Sequence, residues 1–252
     1  MKRRVEFTDV LGRSIFTVLT EPDEPTTRLL LMSHGFRGNS TGPAREFVDL
    51  ERLLVEDGVA CLRFDQPGSG NSDGDFRDSS FNVWVDTIAE LARHYLEADY
   101  RVALLGQSMG GAATIVATSR SEVSDRIPAV ILWSPGIGDS NEFPGKGLLE
   151  LPFPGAEYVE EQGQRVRADF WREAQGAGVF AALDGFRGAL HVVFGEHDRF
   201  DSDGLRFHAI DRIKARGHQV TTLPGQDHSS WDYDVAQGVY ELERAFLSQY
   251  LA

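Results

Sequence analysis

The chain has 252 residues, a length that suits one large α/β domain or two smaller ones, and its apolar (41%) and aromatic (10%) content can build a sizeable core. A net charge of −14 and a pI of about 4.9, with no basic cluster beyond Lys2-Arg3-Arg4, exclude nucleic-acid binding by phosphate neutralisation and attraction to an anionic membrane. A single cysteine, Cys61 in the apolar run VACLRF, excludes an intrachain disulfide; no run approaches the ~18 apolar residues of a membrane span, and MKRRVEFTDV lacks the apolar centre of a signal peptide, so a cytoplasmic protein is expected.

VEFTDV and SIFTVLT, joined by Leu11-Gly12-Arg13, predict an antiparallel hairpin. Short apolar strands then alternate with helical patterns. RLLLMS predicts a strand and FVDLERLLVEDG a helix ending at Gly58; VACLRFD predicts a strand and FNVWVDTIAELARHYL a helix with its apolar residues three and four apart. RVALLG, GAATIVATS and AVILW continue as strand, helix and strand. The rhythm returns with ALHVVFG, the helix LRFHAIDRIKARG, the strand HQVTTL and a last helix carrying Val235, Val239, Leu242 and Phe246. Such alternation predicts a mostly parallel sheet with helices on both faces.

Residues 136–188 break the rhythm with prolines, glycines and aromatics, and a helical pattern at 166–174. Loops this long in a compact domain are usually functional. The segment is therefore expected to be a cap, inserted into a core made of residues 1–135 and 189–252. Phe143, Leu148, Leu149, Leu151, Phe153, Phe170 and Trp171 give it apolar groups that need something to cover.

Between the strand RVALLG and the helix that follows lies Gly106-Gln107-Ser108-Met109-Gly110. In a strand-to-helix turn this G-x-S-x-G spacing forms a nucleophile elbow, which lifts the serine hydroxyl above the sheet. The turn is too tight for side chains at the glycine positions. It also leaves the Met109 N–H at a helix N-terminus, where amides lack internal partners and favour negative charge.

A serine hydroxyl is a poor nucleophile until a base takes its proton. Seven histidines compete for that role. His34, in HGFRG, reads as a loop-shaping residue, while His94, His191, His208 and His218 fall in or beside helices and strands. His197 lies within GEHDRF. His228, in PGQDHSSW, follows the last strand, so it gathers with Ser108 at the carboxyl edge of the sheet and is the favoured base. The base needs a carboxylate to fix its tautomer. Asp198, directly after ALHVVFG, is favoured over Glu196, Asp201, Asp203 and Asp227, the last being awkwardly adjacent to His228. The order Ser108, Asp198, His228 is the one this fold uses. A second oxyanion donor beside Met109 is expected from the loop HGFRG, at the Phe36 N–H. Trp231, three residues past His228, either lines the pocket or anchors the last helix. Gly68-Ser69-Gly70 lacks the third glycine of a dinucleotide fingerprint and reads as a turn, and no metal ligand set is evident, so no cofactor is expected.

With HGFRG, RFDQPGSGNSDG, GQSMGG, GEHD and QDHS in this order, the chain resembles the α/β-hydrolase superfamily over essentially its whole length. Within it the chain is most similar to the small bacterial feruloyl (cinnamoyl) esterases, on HGFRGN, the FD-x-x-G-x-G-x-SDG pattern at 64–74 and a compact cap followed by GALHVVFGEHD. The loop after Asp198 reads RFDSDG, where many relatives carry an apolar turn with Val-Pro. The resemblance implies an α/β-hydrolase fold with an eight-stranded sheet, a triad of Ser108, Asp198 and His228, an oxyanion hole at Phe36 and Met109, and an aromatic or other small acyl group under the cap. The expected activity is hydrolysis of carboxylic esters, with a small-molecule ester as the partner. Thioesterase, acyltransferase, peptidase and C–C hydrolase chemistry use the same groups, and a non-catalytic binding protein could keep the pocket.

Overall fold

The structure, a computed structural model, describes residues 1–136, 157–161, 163–200 and 205–251. Strands β1 (Lys2–Val10) and β2 (Arg13–Glu21) pair antiparallel along their whole length. Leu11 and Gly12 join them, both at positive φ (55° and 74°), which matches the strand twist. The chain continues through β3 (Arg28–Ser33), α1 (Glu46–Glu56), β4 (Ala60–Phe64), α2 (Phe81–Glu97), β5 (Arg101–Gln107), α3 (Met109–Ala117) and β6 (Ala129–Trp133). A small antiparallel hairpin follows, β7 (Tyr158–Glu161) and β8 (Gln164–Arg167), then α4 (Ala168–Gln175) and α5 (Val179–Gly185). The alternation resumes with β9 (Ala189–Gly195), α6 (Leu205–Ala215), β10 (Gln219–Leu223) and α7 (Tyr233–Tyr250).

Eight strands form one sheet in the order β1-β2-β4-β3-β5-β6-β9-β10. Only the pairings of β1 with β2 and of β2 with β4 are antiparallel. The central strands β3, β5, β6 and β9 are buried along almost their whole length because helices cover both faces of the sheet. In β3, Leu29 and Leu31 pack with α2 and α3 on one side, while Leu30 and Met32 pack with α1 and α7 on the other; all four are fully buried. Helices α4, α5 and α6 add Phe170, Phe180 and Ile213 to the first of these layers.

The strand order reverses at β3. Its next strand, β4, lies on one side and β5 lies on the other, with Ser33 paired to Gly106 at the top. Loops leaving the carboxyl ends of β3 and β5 therefore diverge and leave a crevice, the usual ligand position in open α/β sheets. No helix among the described residues is long and apolar enough to cross a membrane.

The helical pattern expected at 166–174 is α4. The hairpin before it and α5 after it were not anticipated; YVEEQGQRVR is too charged to read as strands. Of the apolar residues expected to need cover, Phe170 and Trp171 are buried in the core layer, while Phe143, Leu148, Leu149, Leu151 and Phe153 lie outside the described residues.

One polar cluster ties α7 to the sheet. The buried Glu243 accepts from Trp133 Nε1 at 2.9 Å and contacts His191 Nδ1 at 2.8 Å, and His191 Nε2 meets Thr221 Oγ1 at 2.9 Å. Removing the carboxylate leaves the indole and imidazole buried without it, a larger cost than the net worth of the bonds. Glu243→Ala is expected to lower the unfolding free energy by about 3 kcal/mol, read as a reduced urea midpoint at unchanged m. A midpoint unchanged within error would show that the cluster contributes nothing to α7 docking.

Candidate active site

Strand β5 runs into α3 through Ser108, whose φ of 54° and ψ of −124° lie outside the regions ordinary residues occupy. Such a conformation persists only where its surroundings hold it. Here Ser108 N–H donates to Trp133 O at 2.9 Å, and Ser108 O accepts from Gly111, Ala112 and Gly136 at 2.9, 3.2 and 2.8 Å. Small residues make room for the bend. A Cβ on Gly106 would stand 2.6 Å from Gly110 O, and one on Gly110 would overlap the His34 carbonyl oxygen and lie 2.7 Å from its carbon.

His228 arrives on the loop after β10, and Asp198 on the loop after β9. His228 Nε2 is 2.8 Å from Ser108 Oγ, and its Nδ1 is 2.8 Å from Asp198 Oδ2. The carboxylate can only accept, so the neutral imidazole carries its proton on Nδ1 and leaves Nε2 to accept from the serine hydroxyl. The other Asp198 oxygen accepts the Phe200 N–H at 3.0 Å. All three side chains thus meet although the chain separates them by up to 120 positions.

Two of the rival acids, Asp227 and Glu196, are placed elsewhere. Asp227 accepts the N–H groups of His228 at 2.7 Å and Arg199 at 3.0 Å and forms an ion pair with the Arg199 guanidinium. Hydrogen bonding from that guanidinium holds the Asp227 carboxyl down at about 2. It braces the histidine loop without touching the imidazole nitrogens. Glu196 accepts the Gly225 N–H at 2.8 Å. Asp201 and Asp203 lie outside the described residues.

The backbone N–H groups of Phe36 and Met109 have no acceptor among the described residues. The loop that carries Phe36 is set by His34, fully buried under it. His34 Nε2 accepts the Gln66 N–H at 2.9 Å and its Nδ1 lies 2.8 Å from Gly35 O, a pairing that the neutral Nδ1–H tautomer satisfies. Burial pushes the His34 pKa down, in keeping with that neutral form. Gly35 N–H donates to Gln107 Oε1 at 3.1 Å, tying the loop to the strand that bears Ser108.

A cavity of about 540 Å³ opens over these groups, lined by Ser108, Met109, Phe36, His228, Trp171 and Phe200 among others. Trp171 of α4 sits 4.7 Å from the Phe36 ring, centroid to centroid, and Phe200 stands edge-on to His228 at 4.7 Å. The sequence marked Trp171 only as a group needing cover, and nothing in it marked Phe200. Trp231 stands apart from the cavity. It is buried edge-on against Trp133 at 5.4 Å, donates from Nε1 to Asp227 O at 3.1 Å, and is not among the cavity's lining residues. Among the described residues no group of three or more His, Cys, Asp or Glu could hold a metal ion.

A serine elbow at the switch point of a mostly parallel sheet defines an α/β hydrolase. Residues 24–161, more than half of the chain, match the model of the family described as Serine aminopeptidase, S33, and the chain belongs to that family. Among solved structures it is similar to Est1E from Butyrivibrio proteoclasticus with ferulic acid bound, at 25% identity and a TM-score of 0.83 over 97% of this chain and 98% of that one. It is also similar to the α/β hydrolase GrgF from Penicillium sp. sh18, at 17% identity and a TM-score of 0.78 over 100% and 99% of the two chains. Mouse α/β hydrolase domain-containing protein 10 matches at 16% identity and 0.73 over 98% and 99%. These last two show the shared fold. No curated protein matches the sequence significantly. The resemblance to feruloyl esterases seen in the sequence agrees with the likeness to Est1E.

The close approach at the elbow is testable. Gly110→Ala meets backbone, which cannot swing aside, and is expected to cost about 2 kcal/mol or more. Gly238→Ala in α7 meets nothing within 4 Å and is expected to stabilise by about 0.5–1 kcal/mol. Thermal melts should move in opposite directions for the two variants; parallel shifts would contradict the packing at Gly110.

Proposed function

We propose that the protein is a serine esterase that hydrolyses carboxylic esters of small or aromatic acyl groups through an acyl-enzyme. The observation that carries this reading is the unbroken chain Ser108 Oγ, His228 Nε2, His228 Nδ1, Asp198 Oδ2, with both contacts at 2.8 Å. Ser108 Oγ attacks the acyl carbon as His228 Nε2 takes its proton. Asp198 stabilises the resulting imidazolium. The N–H groups of Phe36 and Met109 hold the oxyanion; among the described residues they have no acceptor to give up, so they are available without rearrangement. Collapse breaks the acyl–oxygen bond, and the leaving alkoxide takes the proton from His228. Water then enters, His228 removes its proton, and the second tetrahedral intermediate releases the acid and restores the Ser108 hydroxyl. The chain's own groups supply nucleophile, base and oxyanion donors, so these steps call on no cofactor.

The substrate class rests on the cavity. Phe36, Trp171, Phe194 and Phe200 give it flat apolar walls, and Est1E, its structural relative, was solved with ferulic acid. Residues 136–188 are assigned as a cap over a core of 1–135 and 189–252, on the ground that α4 brings Trp171 to the cavity. The family description names an aminopeptidase, which makes amide cleavage the second reading. An aminopeptidase must hold an ammonium group. Among the described lining residues the sole carboxylate is Asp198, which is already bound to His228, whereas Arg37 and Arg206 bring positive charge. That balance favours esters.

Ser108→Ala is expected to lower p-nitrophenyl acetate turnover by about 10⁴-fold or more, and Asp198→Asn by about 10³–10⁴-fold, while both fold normally. Retained turnover in the serine variant would remove it as nucleophile. A panel of acetyl, butyryl and cinnamoyl esters beside aminoacyl amides should rank the aromatic and short acyl esters first by kcat/KM; preference for the amides would select the second reading.

A further inference from the structure

The loop that carries His228 rests on a buried acid that plays no part in the proposed reaction steps. Glu46, the first residue of α1, is 3% exposed. Its Oε1 accepts the Trp231 N–H at 3.2 Å, the Ser230 N–H is also directed at the carboxyl, and Oε2 is buried with no partner among the described residues. Ser230 stands at a φ of 58°, a left-handed turn that a non-glycine residue adopts at a cost. Consecutive N–H groups around such a turn form a concave anion-binding nest. The anion in this nest is a side chain of the protein itself. The nest lies two and three residues beyond the imidazole, and Ser229 between them lines the same cavity.

We propose that Glu46 is a positioning residue: its carboxylate holds the turn after His228 so that the imidazole meets Ser108, and protonation of Glu46 loosens that hold. This rests on the assignment of His228 as the base. A hydrogen bond to a carboxylate is roughly twice as strong as one to a neutral acceptor, so the charged form grips the two N–H groups more firmly. Ionisation is also costly here, because no cation is paired with Glu46 among the described residues. Burial raises its pKa to about 7, against the lowering effect of the Trp231 and Ser230 N–H groups. Tyr240 of α7 faces Glu46, and Asp49 of its own helix acts on the same phenol. On the loop itself Asp227 is turned to Arg199, and His228 to Asp198. Activity and stability therefore pull in opposite directions. A raised acid contributes stability that is full below its unfolded value of 4.5 and is lost as pH rises through about 7. The same rise in pH completes the grip on the loop.

Glu46→Gln is nearly isosteric, keeps an acceptor oxygen and cannot ionise. Relative to wild type its kcat is expected to be about three- to ten-fold lower at pH 8.5 with KM unchanged, and the two should converge at pH 6. The acid limb of log kcat/KM should be steeper in wild type, where Glu46 and His228 both lose a proton, than in Glu46→Gln. Its melting temperature should exceed that of wild type by several degrees at pH 8.5 and match it at pH 5. A merely structural role would give an activity ratio independent of pH, and that result, or equal kcat at pH 8.5, overturns the proposal. The rate of Ser108 labelling by a fluorophosphonate reads the same ratio without any ester. A protein that hydrolyses no ester but labels with this pH-dependent ratio would fail the esterase reading and uphold the role of Glu46.

Discussion

The left-handed backbone at Ser108 is the constraint on which the site depends. An L-residue held at positive φ costs on the order of 1–2 kcal/mol, and the chain returns to ordinary geometry unless its neighbours forbid it. Four backbone hydrogen bonds at residue 108 and the absence of side chains at 106 and 110 do the forbidding. The bend has two consequences at once: it exposes the hydroxyl at the crevice between β3 and β5, and it starts α3 with an N–H that no carbonyl among the described residues reaches. Because the His34 carbonyl packs against Gly110, the elbow and the loop bearing Phe36 are fixed relative to each other. The two proposed oxyanion donors thus share one rigid support.

The imidazole side is built differently. His228 sits on a loop, and a loop needs external braces to hold a side chain to within a fraction of an ångström. Three carboxylates supply them in distinct ways. Asp198 touches the ring, Asp227 accepts the His228 backbone N–H, and Glu46 accepts N–H groups further along. Asp227 is stabilised by Arg199 at the surface, whereas Glu46 is buried with no cation paired to it among the described residues. The Asp227 brace is therefore insensitive to pH near neutrality and the Glu46 brace is not.

How much of this was legible in the sequence follows from which interactions are local. The alternation of apolar strands with helices marks the sheet, since strands buried on both faces cannot be polar. The elbow is legible because its steric demand falls on residues adjacent to Ser108. Asp198 and His228 could be chosen because strand ends gather at one edge. The bracing role of Glu46 was not legible: it stands just before the predicted helix FVDLERLLVEDG with no signal of its own, and its contact with Trp231 spans 185 positions. Phe200 likewise became a neighbour of His228 only through folding. The charged hairpin of β7 and β8 had no apolar periodicity to betray it, because it packs at the rim of the core with few buried residues.

Phe36 links the chemistry proposed for the site to its selectivity. Its backbone N–H has no acceptor among the described residues, while its ring contacts Phe76 at 5.0 Å, Phe170 at 5.4 Å and Trp171 at 4.7 Å. Offset and edge contacts of this kind contribute about 0.5–1.5 kcal/mol each beyond burial, so the ring is held firmly. The position of the backbone donor is thereby set by aromatic packing that α4 completes. A change in the α4 aromatics would reshape the aromatic wall of the cavity and shift the N–H that is proposed to hold the oxyanion. Discrimination between acyl groups in such a site would then appear in kcat as well as in KM, because the wall and the donor move as one body.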